Sequence, residues 1–451
     1  MTMPLMHPKR KNPVLRTRQM NLPPLARSRV ALGITAAAAE GRFELQVCAD
    51  CGALQYPPRE ACHRCLSPRL QWREQGGEGT LLSATTLHHS NDLFFRERLP
   101  WRLGLVHLDA GPTLMVHLHG EVAVAPSVGT SSDAPTRADA QGDRIQTDAA
   151  GKPGANEDTR VRVRVGARLD RAGQAVLIGF PLEGSAHMAD DKMLREMTSD
   201  PKFRKALVTD GKTELGQAIV RALIKAGADI VWVGHAEPWK KLGGLDDITA
   251  LPQVALVPLD LTNGRSVVEL AGSIGGKVDI VVNNAELHRT FGIGARRGTD
   301  VARAEMDINY FGLLRLAQEF GPALKGRSAD GATGATAWVN LLSIYALSNF
   351  PPHGTFSASK AAAHSLAQCL RAEMRPAGIR VINVFPGPID DEWNQHMPPP
   401  KLLPATLANA IIKALRDGTE DVYPGDVAQE WLERWRDNPK VLERELAAGG
   451  G

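Results

Sequence analysis

Four cysteines fall in two close pairs, Cys48-x2-Cys51 and Cys62-x2-Cys65, with ten residues between the pairs. Each pair can form a tight knuckle, and together they offer four thiolates to one tetrahedral ion, the ligand set of a closed structural zinc site. A closed site leaves no position for water, so its expected role lies in folding and not in catalysis. His63 stands between two of the ligands and the set does not need it. Cys369 stands alone in "SLAQCLRAEM" and reads as a small apolar residue. A second stretch, "ALVTDGKTELG", contains Gly211-Lys212-Thr213, the end of a phosphate-binding P-loop, but that motif needs a glycine at position 206 and the chain has Ala206. A third, "TFSASK", sets the ring of Phe356 one helical turn before Lys360.

Two kinds of element must position these groups. Residues 30–184 read as β-rich: "GTLLSATTLHH", "WRLGLVHLDAG", "TLMVHLHGEVAV", "VRVRVGARLD" and "AVLIGF" are short alternating or apolar runs punctuated by Gly and Pro, the pattern of a small barrel. The ribbon itself falls at about 44–68. Residues 125–159 hold almost no large apolar side chains and are expected to be a disordered insertion, because they cannot offset the entropy of ordering. After a polar linker at 185–202 the pattern changes to apolar strands alternating with helical segments. "KALVTDG", "ADIVWVGH", "VALVPLDL", "VDIVVNNA", "TAWVNLLSI" and "IRVINVFPG" are the strands, and together they predict a Rossmann-like, doubly wound parallel sheet over 203–440. Residues 441–451 form a tail.

The chain has 451 residues, enough for two domains of unequal size, and a formal net charge of +3, too small to argue for nucleic acid. Basic residues concentrate in 1–29, a flexible arm whose ordinary role is solvation and whose alternative is contact with an acidic partner or nucleic acid. "RSRVALGITAAAAEG" has the outline of a secretory signal, but its apolar part is weak and Ala-rich, and it predicts a short helix leading into the first domain. No apolar run reaches the roughly 18 residues of a membrane span. A soluble, cytoplasmic protein is expected.

"FELQVCADCGALQYPPREACHRCLSP", followed by "GEGTLLSATTLHH" and "LPWRLGLVHLDAGPTLMVHLHG", resembles the bacterial and archaeal family with an N-terminal rubredoxin-like zinc ribbon and an OB-fold. The resemblance covers about a third of the chain. It implies a companion of a thiolase-like acyl-CoA enzyme. An OB barrel can also bind single-stranded nucleic acid on aromatic platforms in a basic groove. Here the aromatics are sparse and the strands carry little Lys, so nucleic acid is not the expected partner.

From about residue 203 the chain resembles the short-chain dehydrogenase/reductase family. The features carrying this are Thr209 and Gly216 in a strand-turn-helix, "LDL" at Asp260 and Leu261, "VVNNA" with Asn283 and Ala285, "NYFG" at Asn309, Ser343, Lys360 and "PG" at Pro386 and Gly387. The resemblance implies cofactor contacts at Thr209, Gly211, Gly216, His235, Asp260, Leu261, Asn283 and Ala285, with His235 a faint preference for NADP over NAD. It implies catalytic positions at Asn309, Ser343 and Lys360, the lysine also touching the cofactor ribose. Four departures follow. The family's general-acid tyrosine is Phe356 here, which removes a contribution of roughly 10²- to 10⁴-fold. "TDGKTELG" puts Asp210 and Glu214 at two glycine positions of the pyrophosphate turn, and Glu286 follows "NNA" where a glycine is usual. A carboxylate about 4 Å from a phosphate charge costs on the order of 4 kcal/mol at an effective dielectric near 20. Asp391 replaces the threonine that often meets the nicotinamide amide. Tyr345 is the candidate substitute acid, with Tyr310 the other phenol placed near the cleft, and the kept residues also have plain structural uses: Asn309 bonding backbone, Ser343 ending its strand, Lys360 pairing with Glu286 or another acid.

The expectation is an accessory or scaffold subunit of an acyl-CoA-processing, β-oxidation-like complex, with a structural zinc and a catalytically impaired dehydrogenase domain to which NADP or NAD binds poorly. Expected partners are a thiolase-like enzyme, an intact short-chain dehydrogenase homologue, and further copies of the chain through the dehydrogenase-like half. The alternative is an active NADP-dependent oxidoreductase acting on a β-hydroxy or β-keto acyl-CoA.

Overall fold

The computed structural model describes residues 21–23, 27–123, 161–237, 244–295, 297–329 and 334–448. The insertion at 125–159 and all but a few residues of the basic arm lie outside the described residues. A short helix, Leu32–Ala39, buries Ile34, Ala37 and Ala38 and leads into the ribbon. There β1 (Glu44–Cys48) pairs antiparallel with β2 (Leu54–Gln55) on one side and β3 (Leu70–Glu74) on the other.

Five strands follow: β4 (Glu78–Leu87), β5 (Trp101–Leu108), β6 (Thr113–Leu118), β7 (Arg162–Leu169) and β8 (Ala175–Pro181). They close into a barrel in the order β4-β5-β6-β8-β7. Burial alternates along β6 and β7, as a filled barrel requires, with Leu114, Val116 and Leu118 inside on β6 and Val163, Val165 and Ala167 on β7.

The second half is a seven-stranded sheet of β9 (Lys205–Val208), β10 (Ile230–His235), β11 (Val254–Pro258), β12 (Ile280–Asn283), β13 (Ala337–Leu341), β14 (Arg380–Val384) and β15 (Asp421–Val422). Its order is β11-β10-β9-β12-β13-β14-β15, and every pairing is parallel. Strands β12, β13 and β14 are buried at every position, because helices cover both faces of the sheet. The helix Glu214–Lys225 illustrates the coding: Leu215, Ile219, Val220 and Leu223 line one face, Thr213 caps the start, and Gly227 at φ +91° follows the end. The order reverses beside β9, so the carboxyl ends of β9, β10 and β12 open the crevice where such sheets bind ligands.

The two halves are stitched together by buried arginines. Arg380, at the start of β14, donates to the carbonyls of Leu169 and Asp170 in the barrel, 2.8 Å each. Arg171, in the β7–β8 turn, donates to Gly378 O at 3.0 Å and Ala335 O at 2.8 Å. Residues 185–202 pack tightly: Met188, Leu194 and Met197 are buried in one cluster with Val176, Ile178 and Phe180 of β8. His187 Nδ1 lies 2.7 Å from Asp417 Oδ1 across the junction.

Candidate functional site

The ribbon brings Cys48, Cys51, Cys62 and Cys65 together, with their sulfurs all within 4.8 Å of one another. Two matching knuckles do this. Gly52 N–H donates to Cys48 O and Leu66 N–H to Cys62 O, 3.0 Å each. Both turns need a left-handed residue, supplied by Gly52 at φ +69° and by Leu66 at φ +62°. Ionising the four thiols together is resisted. Hydrogen bonding, first from the Cys65 backbone, draws Cys62 down to about 6, whereas the neighbouring thiols and burial outweigh the Ser67 backbone at Cys65 and push it up to about 12. A divalent ion relieves that repulsion, and the set fits zinc. His63 is turned to Gln55, with Nδ1 3.2 Å from Oε1.

In the crevice, the turn after β9 is held by its own side chains. Thr209 Oγ1 accepts the N–H groups of Asn284 and Ala285, 3.0 Å each, and lies 3.3 Å from Asn283 Oδ1. Asn284 clamps the backbone of Asp210 from both sides, at 3.0 and 2.7 Å. Asp210 is buried and accepts Lys212 N–H at 2.9 Å; burial pushes its carboxyl up, against the pull of the Lys212 charge. The helix start is capped by Thr213, which accepts Gly216 N–H at 3.1 Å, so neither acid of the turn takes the capping role. Glu214 is exposed in the first helical turn. Gly216 is required here, since a Cβ would lie 2.0 Å from Asp210 O. His235 is buried at the end of β10, its Nδ1 accepting Glu237 N–H at 2.8 Å. Asp260 and Leu261 line a recess of 60 Å³ with Thr209, Asp210 and Ala285.

The positions matching the catalytic set each have a local partner. Lys360 is 2% exposed, and its Nζ lies 2.7 Å from Glu286 Oε2 and donates to Leu341 O at 2.9 Å. Asn309 sits in a π-helical bulge, Asp307–Gly312, inside the long helix, and so points to the crevice. There it accepts Leu287 N–H at 3.0 Å and donates to Leu287 O at 2.9 Å and Ser359 Oγ at 2.8 Å. Ser343 caps the turn Ile344–Ala346 by accepting Tyr345 N–H at 3.2 Å. Tyr345 is buried, stacked on Phe350 with ring centroids 5.1 Å apart, and burial pushes its phenol well above the usual range. Asp391 caps the turn Glu392–Asn394, and burial and Glu286 raise its carboxyl.

Sequence reasoning missed the covering of Phe356. His288 stacks on its ring, with centroids 3.8 Å apart and planes at 16°, and touches His353, which touches His396. These residues are separated by 65 and 43 positions and share no motif, so no local signal joins them. A cleft of 360 Å³ next to them is lined by Glu214, Glu286, Asp390, Asp391 and Glu392, with Lys212 the only basic residue of its wall among the described residues. These groups do not fit an anionic dinucleotide: the cleft wall sets five carboxylates against one lysine, and Lys360 is held by Glu286. Among the described residues no helix is long and apolar enough to cross a membrane.

Three known families match parts of the chain: "ChsH2, rubredoxin-like zinc ribbon domain" over residues 35–71, "ChsH2, C-terminal OB-fold domain" over 72–131, and "short chain dehydrogenase" over 204–401. An uncharacterized oxidoreductase of Staphylococcus aureus strain USA300 is 30% identical over 216 residues, 47% of this chain and 90% of the relative. A short-chain dehydrogenase of Hypocrea virens is 30% identical over 255 residues, 55% of this chain and 77% of the relative. A short chain dehydrogenase from Burkholderia cenocepacia J2315, solved in complex with NADP, is 34% identical with a TM-score of 0.49, covering 55% of this chain and 98% of that one.

Proposed function

The chain belongs to the short-chain dehydrogenase family, with that domain placed behind a ChsH2-type zinc ribbon and OB-fold, and on this premise we propose that it is an accessory subunit of an acyl-CoA-processing complex. Its dehydrogenase domain is impaired for nicotinamide chemistry and serves as a scaffold. The observation that carries this reading is the 2.7 Å ion pair between Lys360 and Glu286, which takes out of use the cation that the family employs beside the cofactor ribose. Phe356 without a proton to give, and an acid-lined cleft, support it.

The partner is a thiolase-like enzyme, docked through the ribbon and barrel. Leu82, Leu105 and Met115 are exposed on three adjacent barrel strands, with Leu105 directly opposite Met115, and offer an apolar row for such a contact. Further copies, or an intact homologue, associate through the helices bearing Asn309 and Lys360, where Phe311 is exposed over an open groove of 580 Å³. The test is co-expression of candidate thiolases with the full chain and with Leu105→Asp/Met115→Asp, together with calorimetric titration of NADPH. A complex lost in the double variant, and no heat from NADPH at physiological concentration, are expected. NADPH-dependent reduction of a β-keto acyl-CoA by the chain alone, abolished by Tyr345→Phe, would replace the scaffold reading with the oxidoreductase one.

A further inference from the structure

Beyond the family's positions, the described residues hold a row of three imidazoles. His288 Nε2 lies 3.0 Å from His353 Nδ1, and His353 Nε2 lies 3.4 Å from His396 Nε2. The first two rings are buried and His396 is exposed, so the row runs from the interior to the surface. At its inner end His288 shares a recess of 20 Å³ with Ser343, Glu286, Phe356 and Asn394. That is room for about one oxygen-sized group, since a cavity of roughly 10–15 Å³ holds a water. The polar atoms around it are not all spent on the protein. His288 Nδ1 makes no hydrogen bond with a described residue, Asn394 Oδ1 is buried and accepts none, and Ser343, which accepts Tyr345 N–H, keeps its own hydroxyl proton to donate.

We propose that this recess is a proton-transfer site that needs no nicotinamide: an oxygen of a small hydroxy or keto compound sits beside Ser343 and exchanges a proton with His288 Nδ1, and His353 and His396 carry that proton to solvent. For a hydroxyl substrate, its O–H bond breaks and a bond from hydrogen to His288 Nδ1 forms. His288 then gives its Nε2 proton to His353 Nδ1, His353 gives its Nε2 proton to His396 Nε2, and His396 releases its Nδ1 proton to water. One proton leaves the substrate, one reaches solvent, the three rings change tautomer, and no electrons are transferred. The reverse sequence protonates a bound oxyanion. Neutral rings are needed, because a neutral imidazole offers one donor and one acceptor while the cation offers only donors. Burial keeps both inner rings neutral, drawing each down to about 3, with Lys360, His396 and Arg289 adding repulsion at His288, and with His288 and His396 doing so at His353.

This goes beyond the scaffold reading and does not rest on it, since co-purification and nucleotide titration decide that reading and ring exchange decides this one. The full chain labelled with ¹⁵N-histidine is examined by NMR at pH 7, alone and with hydroxyacetone as the probe. Neutral His288 and His353 rings with tautomers ordered in one direction are expected, with ring N–H exchange at His288 at least tenfold slower in His353→Phe and in His396→Ala. The second variant is a surface change and leaves the fold intact. Hydroxyacetone is expected to shift the His288 resonances in the parent and not in Ser343→Ala. Unchanged exchange in His396→Ala, or a cationic inner ring at pH 7, overturns the proton path, and no shift with hydroxyacetone overturns the oxygen site.

Discussion

In the ribbon, four side chains of one kind converge on a single point, whereas in the crevice each family position is held by a different group with its own neighbour. The thiolates act together: losing one leaves three that bind the ion poorly, so the set stands or falls as a unit. The crevice groups were separable. Asn309 holds Leu287, Lys360 holds Glu286, and Thr209 holds the Asn284 backbone, so the fold keeps a use for each residue without requiring the chemistry that joins them. A dehydrogenase framework can therefore outlast its hydride transfer, while a structural metal site cannot outlast its ligands.

The largest effect expected from breaking this contrast is at the metal. Purified protein should hold one zinc per chain, and stripping it should unfold the ribbon, because binding free energies of about 10–16 kcal/mol in small zinc domains are also folding free energies. Cys48→Ala/Cys62→Ala should lose the metal and lower the melt of the first half. Metal analysis far below one zinc, or an unchanged melt in the double variant, would contradict a structural role.

The crevice should answer differently, with a large response to breaking one pair and almost none to removing it whole. Lys360→Met strands the carboxylate of Glu286, 13% exposed, and should cost about 3–5 kcal/mol, since an unpartnered buried charge is expensive. Lys360→Met/Glu286→Leu should recover most of that by denaturant titration. A double variant as unstable as the single would mean that the pair is not what holds these residues in place. In the same framework, removing the acids by Asp210→Gly/Glu214→Gly/Glu286→Gly should raise NADPH affinity more than tenfold, a change of about 1.4 kcal/mol or more. Phe356→Tyr alone should not produce a reductase.

What was legible in the sequence follows the same division. The cysteine spacing announced the ribbon because a knuckle is local, complete within four residues. The doubly wound sheet was equally plain, since β12 and β13 are mostly apolar, each with a single asparagine, and Thr213, Gly216 and Gly227 mark the start, packing and end of one helix. That Lys360 would pair with an acid was foreseeable from the types, with Glu286 one option among them. Other features were not. Asp210 turned inward to bond Lys212 because Thr213 already served the helix start, a competition that spacing does not reveal. The 185–202 segment looked polar, yet Met188, Leu194 and Met197 are buried against β8. The histidine row joins residues brought together only by tertiary folding.

Those buried rings also set the acid limit of the molecule. Burial holds His288 and His353 down to about 3 and His117 to about 4, while in the unfolded chain each titrates near 6.5. Below pH 6.5 the unfolded state therefore binds more protons, and stability should fall by up to about 1.4 kcal/mol per pH unit for each ring. Melts from pH 7 to 5 should drop steeply, and His353→Phe should flatten that slope. A flat profile in the parent would show these rings to be solvated.

The smallest effect separates the two halves directly and has the opposite sign. The hydrogen bond to Asp417 raises the pKa of His187, so this ring's contribution is full below about 6.5 and is lost as pH rises through the raised value. Hydrogen bonding from His187 helps draw Asp417 down to about 2 against its burial, so that contribution is present above about 3.9 and is lost only as pH falls toward 2. Between these limits the pair is charged on both sides and joins the end of the barrel segment to the helix Pro404–Asp417. A hydrogen bond to a charged group contributes roughly 1.5–3 kcal/mol, toward the lower end here because His187 is 28% exposed. His187→Gln should therefore destabilise the chain at pH 6 more than at pH 9, the difference being about 1 kcal/mol or less. The buried bonds of Arg171 and Arg380 to backbone carbonyls should keep the halves docked at either pH. Limited proteolysis at pH 9 that splits the parent into two stable halves would show that the junction depends on the histidine pair and not on the arginines.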